Sequence, residues 1–159
     1  MLVSLANLRE ASMVVYLRRL VIFALAVLAT EVLAALASTQ FVLAGLTDLG
    51  VTVTLGQRLT MSLQDVVGMM EIYLPVLAFA LALGFGFTAL LLRRLDAAWA
   101  PWGYPAAGFV AVLAALFTVF SMFDITPIAG ARSGAGLLAQ GLAGALGGVL
   151  FYRGLRTER

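Results

Sequence analysis

The sequence predicts an all-α membrane protein: a four-transmembrane-helix bundle with cytoplasmic N- and C-termini and a small outer-face β-hairpin/helix cap between helices 1 and 2. Three observations carry this. Of 159 residues, 63% are hydrophobic and only 11% charged, which is more apolar surface than a soluble domain of this size has interior to hide. Four apolar runs, at about 21–43, 73–92, 104–123 and 134–152, each approach the roughly twenty residues a helix needs to cross the hydrocarbon core. Eight of the ten basic residues, all arginines, fall at one set of run ends. The chain reads as a single integral membrane domain over residues 1–159.

The first run follows Arg9, Arg18 and Arg19. "RRLVIFALAVLATEVLAALAS" imitates a secretory signal, with a small-x-small "ALA" before Ser38. The apolar run continues past that point through "FVLAGL", so an uncleaved first helix is expected. Residues 1–19 are expected to form an amphipathic lead-in at the membrane surface. Arg93 and Arg94 end the second run, and Arg153, Arg156 and Arg159 end the fourth. Only Arg58 and Arg132 fall on the other side. The positive-inside rule then places both termini in the cytoplasm. An arginine-only basic set with abundant alanine suggests a GC-rich bacterial genome, hence a bacterial inner membrane.

The cap covers about residues 44–72. "VTVTL" and "RLTMSL" alternate apolar and polar residues around Gly56-Gln57, the pattern of a two-stranded hairpin. Ser62 with Asp65 has the spacing of a capping box that opens a helix, and Pro75 marks where the membrane part begins or kinks. "WAPWGYP" reads as a turn between the second and third helices. Pro101 and Pro105 set it, and Trp99, Trp102 and Tyr104 anchor it at the interface.

Three features are candidates for function. Glu31 lies inside the first span, where an acid costs roughly 2.5–3.5 kcal/mol on the insertion scale. Glu31 is twelve residues from Arg19, and Gln140 is thirteen from Arg153, so both lie about 18–20 Å from the arginine belt. With Thr118 and Thr30 they are expected to form one intramembrane polar layer. The fourth run carries Gly136, Gly144 and Gly148 at four- and eight-residue spacing. That small-residue stripe permits close helix packing, on the first helix or on a second copy. At the outer start of that run, Arg132, Ser133 and Gly134 offer a guanidinium and free backbone N–H groups, a possible anion site. The alternative is Ser133 as an N-cap, with Arg132 paired to Asp124, Asp65 or Glu71.

Histidine and cysteine are absent. Their absence removes disulfides, thiolate chemistry and the commonest metal ligands. No metal site is expected, and no cofactor fingerprint is present. The arginines do not form the clustered face that nucleic acid requires. The outline resembles that of lipoprotein signal peptidases in size, helix number and an outer strand element after the first helix. That family sets its catalytic aspartates in asparagine-containing motifs, whereas the sole asparagine here is Asn7, so no catalytic residue carries over. The layout is also similar to the claudin-type tetraspan outline, without that family's tryptophan and cysteine signature. The expectation is a small interaction, scaffold or accessory protein without catalytic activity, partnered by membrane lipids and by a second copy or another membrane protein. An oligomeric carrier or channel using Glu31 is the alternative. An outer-face hydrolase using Asp65 or Asp124 is third.

Overall fold

The computed structural model describes the backbone of residues 2–123 and 128–157, and the side chains of 13–122 and 128–157. Five α-helices follow one another: α1 (Leu2–Asp48), α2 (Leu55–Met70), α3 (Tyr73–Leu91), α4 (Ala100–Phe123) and α5 (Gly134–Arg156). Short 3-10 turns at Ala97–Trp99 and Ala129–Arg132 precede α4 and α5. Among the described residues there is no strand. Four helical stretches are long and apolar enough to cross a membrane: Met13–Asp48, Tyr73–Leu91, Ala97–Met122 and Gly134–Arg156. Arg18 donates to the Thr157 carbonyl at 3.3 Å, so α5 ends level with Arg18 of α1. This is called the basic end below, and the opposite end the far end.

Three sequence expectations change. The anticipated hairpin is an extended connector followed by α2. Thr54 is the N-cap, its hydroxyl accepting from the Gln57 backbone N–H at 3.3 Å while the Gln57 side chain accepts from the Thr54 N–H at 2.9 Å. That reciprocal T-x-x-Q box outweighs a short alternating pattern that had no third strand to pack on. Gly56 and Gln57 therefore lie in a first helical turn, and Ser62 lies mid-helix rather than at a cap. The expected lead-in is no separate element, because α1 is one helix of 47 residues. Pro101, Trp102, Tyr104 and Pro105 all sit inside α4 rather than in the turn before it, and Tyr104 is buried among rings instead of anchoring at the interface.

α5 runs antiparallel to both α1 and α4, and its glycines set the spacing. Gly147 faces Thr30 so closely that a Cβ there would overlap the threonine hydroxyl. Gly144 faces Gly108, where a Cβ on either residue would overlap the other's carbonyl oxygen. Close backbone approach through small residues is how helices gain van der Waals contact when lipid supplies no hydrophobic drive. Nearer the basic end the interior is aromatic. Phe85 and Phe151 stack at 4.7 Å between ring centroids, and Phe23 and Tyr104 meet Phe151 edge-on at 6.1 and 5.4 Å. Glu31 follows Thr30 in the chain, at the level of the Gly147 contact.

Candidate functional site

Glu31 has no accessible surface, and neither carboxylate oxygen has a hydrogen-bond partner among the described residues. Gln140, equally buried, does not meet it. The Gln140 amide nitrogen donates to the Ala34 carbonyl at 2.9 Å, and its oxygen accepts from the Tyr73 hydroxyl at 3.1 Å. Gln140 thereby joins α1, α3 and α5 one turn along α1 from Glu31. Ala34 lies three residues beyond Glu31, on the same side of the helix.

Thr30 is buried beside Glu31, but its hydroxyl donates back to the Ala26 carbonyl at 2.9 Å. Thr118 lies outside this group. It is exposed, bonds to the Ala114 carbonyl at 2.8 Å and lines an apolar groove of about 670 Å³ between α3 and α4. The glycine stripe divides among partners. Gly144 and Gly148 pack on α4, at Gly108 and Tyr104, while Gly136 packs on the Gly130 carbonyl. Two residues that sequence reasoning passed over complete the picture. Tyr73 heads an apolar run and reads as an interfacial anchor, yet it is buried and its hydroxyl donates to Gln140. Gly147, off the four-residue spacing, is the glycine that meets Thr30; a count of α5 positions facing α1 would have found it.

At the far end, Ser133 caps α5 by accepting from the Gly136 N–H at 3.0 Å. Arg132 and Gly134 are exposed there. Asp124 lies outside the described residues, and Asp65 accepts from the Thr39 hydroxyl at 2.7 Å.

The bundle interior differs toward the two ends. A cavity of about 210 Å³ reaches Tyr73 from the far-end half, walled by Met69, Ile72, Leu116, Val119 and Ile128. Toward the basic end the Phe23, Phe85, Tyr104 and Phe151 rings fill the interior. A bare carboxylate in such a place costs several kcal/mol after relaxation. A bound proton removes the charge and most of that cost. No family model, curated protein or solved structure matches the chain.

Proposed function

We propose that this is an ion-linked membrane protein, a small carrier or channel subunit in which the Glu31 carboxyl takes up and releases a proton or monovalent cation. The supporting observation is the division of labour between two buried polar side chains. Gln140 makes the interhelical hydrogen bonds, while Glu31, one turn away, makes none among the described residues. A carboxyl kept only to fix helix register would make the bonds that Gln140 makes. Membrane acids without such a task mark ion or proton pathways. The arginine distribution favours a bacterial cytoplasmic membrane with the basic end inward.

The test is flux. Purified protein in liposomes carrying a pH gradient or a sodium gradient should dissipate one of them, and Glu31→Gln should lose that flux while the helical content survives. Equal flux from the two proteins would remove the proposal.

A second reading, an accessory or scaffold protein without transport, has its own support in the α3–α4 groove. Phe79, Leu83, Phe87 and Val110 line it, an apolar lining that suits a helix of another membrane protein. This reading expects no flux from either protein. It also expects that Leu83→Trp, which fills the groove, abolishes co-purification of the partner.

A further inference from the structure

Helix α2 divides lengthwise into three faces. Arg58, Ser62 and Asp65 turn toward α1. Arg58 donates to the Gln40 amide oxygen at 3.0 Å, Gln40 donates to the Ser62 hydroxyl at 3.3 Å, and Thr39 donates to Asp65. One flank is apolar: Leu55, Leu59, Leu63 and Val67 are 67–80% exposed. The other flank, Gln57, Thr60 and Gln64, is exposed and polar without charge. Successive members of each flank are three or four residues apart, so each forms a continuous stripe. Both charged residues of the helix, Arg58 and Asp65, belong to the face on α1.

The depth of α2 follows from α1. Gln40 is 21 residues beyond Arg19, about 31 Å at helical rise, close to the thickness of the hydrocarbon core. Asp48, the last residue of α1, is 29 residues beyond Arg19, about 43 Å, which matches a bilayer with its headgroups. The chain then turns at Gly50, in the left-handed region at φ 84°, and the extended connector returns α2 to the level of Thr39 and Gln40. Arg58, Ser62 and Asp65 span eight positions of α2 yet converge on those two adjacent residues. α2 is therefore pinned at one depth, where hydrocarbon meets headgroups.

We propose that α2 is a membrane-interfacial helix whose Leu55–Leu59–Leu63–Val67 flank is embedded in the acyl region of the far leaflet, with its Gln57–Thr60–Gln64 flank in the headgroup water. A helix with separated apolar and polar flanks at this depth is stable in that place. A protein partner fits less well. Four side chains fall short of the roughly 800 Å² per partner of a stable interface, and the flank offers no charge or hydrogen-bonding group to orient one. This inference is independent of any role for Glu31.

The chain contains no cysteine, so single-cysteine variants carry one nitroxide label each. Leu59→Cys, Leu63→Cys and Val67→Cys, with Gln57→Cys, Thr60→Cys and Gln64→Cys, would be labelled in phosphatidylcholine–phosphatidylglycerol vesicles. Collision with oxygen should exceed collision with a water-soluble nickel chelate severalfold on the first set, and the order should reverse on the second. Equal chelate access on both flanks would place α2 in water and overturn the proposal. So would dipolar broadening on the leucine flank that vanishes on dilution with unlabelled protein, because a second copy would then cover it. All six positions are exposed, and each flank has three, so a variant that fails to reconstitute leaves two neighbours to report.

Discussion

The Tyr73 hydroxyl donates to the Gln140 side chain at 3.1 Å, and through the same amide group Gln140 holds the Ala34 carbonyl. One side chain thus joins three helices in the apolar interior. Membrane hydrogen bonds of this kind contribute about 0.6 kcal/mol on average and up to about 1.7. Tyr73→Phe should lower stability within that range, and Gln140→Leu should lower it further because both bonds go. Reversible unfolding in bicelles measures the difference. Equal stability of Tyr73→Phe and the parent would mean that the bond contributes nothing.

Glu31 should behave in the opposite sense. Its carboxyl is buried without a hydrogen-bond partner among the described residues, so the fold bears its desolvation. Glu31→Gln is expected to leave stability unchanged or raise it by about 1–3 kcal/mol. The same unfolding experiment decides the matter, and a marked loss would show that the carboxyl bonds within the protein.

The glycines separate by contact. A Cβ at Gly144 would overlap the Gly108 carbonyl oxygen, backbone that cannot step aside, whereas a Cβ at Gly86 would meet nothing within 4 Å. Gly144→Ala should force α4 from α5 and cost about 1–3 kcal/mol, the usual cost of overpacking. Gly86→Ala should gain up to about 1 kcal/mol of helix propensity. Melting temperatures in detergent should move in opposite directions.

Thr39→Val removes a hydroxyl that bonds Asp65 at 2.7 Å and keeps the branched shape. Its effect should be local. Amide exchange in residues 55–70 should accelerate severalfold while the four long helices keep their protection. Acceleration through α4 and α5 would mean that α2 braces the whole bundle.

Phe151 is central to the ring cluster, in contact with Phe23, Phe85 and Tyr104. Phe151→Ala should cost about 3–5 kcal/mol if the packing resembles that of soluble cores. Phe151→Leu should cost less than half of that, because it refills most of the volume. Folded yield and melting temperature rank the two.

The long helices were legible because lipid imposes one strong rule: apolar runs of a given length become helices. Their ends were less legible. α1 runs well past both ends of its expected span because Leu2 to Leu20 and Ala44 to Asp48 contain no proline or glycine pair strong enough to stop a helix. The α2 segment was less legible because "VTVTL" satisfies a period-two pattern, and capping-box spacing occurs at Ser62 and Asp65 as well as at Thr54 and Gln57, where the box forms. The candidate site was partly legible. Distance along each helix put Glu31 and Gln140 at one level, but rotation about the axis decides what touches. Rotation sends Gln140 to Ala34 and Tyr73, and Thr118 to the groove. Tyr73 was hidden because a tyrosine at the head of an apolar run has an ordinary explanation as an interfacial anchor.

The length of α1 has a mechanical consequence. Its 47 residues make a rod of about 70 Å, over twice the hydrocarbon thickness, without a proline to act as a joint. It passes Glu31 about two-thirds of the way along and meets α2 at Thr39 and Gln40, while its first 16 residues, Leu2 to Leu17, lie beyond the Arg18 tie to α5. Between those points it is packed at Ile22, Ala26, Thr30, Ala34 and Ser38, so the bundle grips that part of the rod and leaves the segment before Arg18 to extend past the basic end.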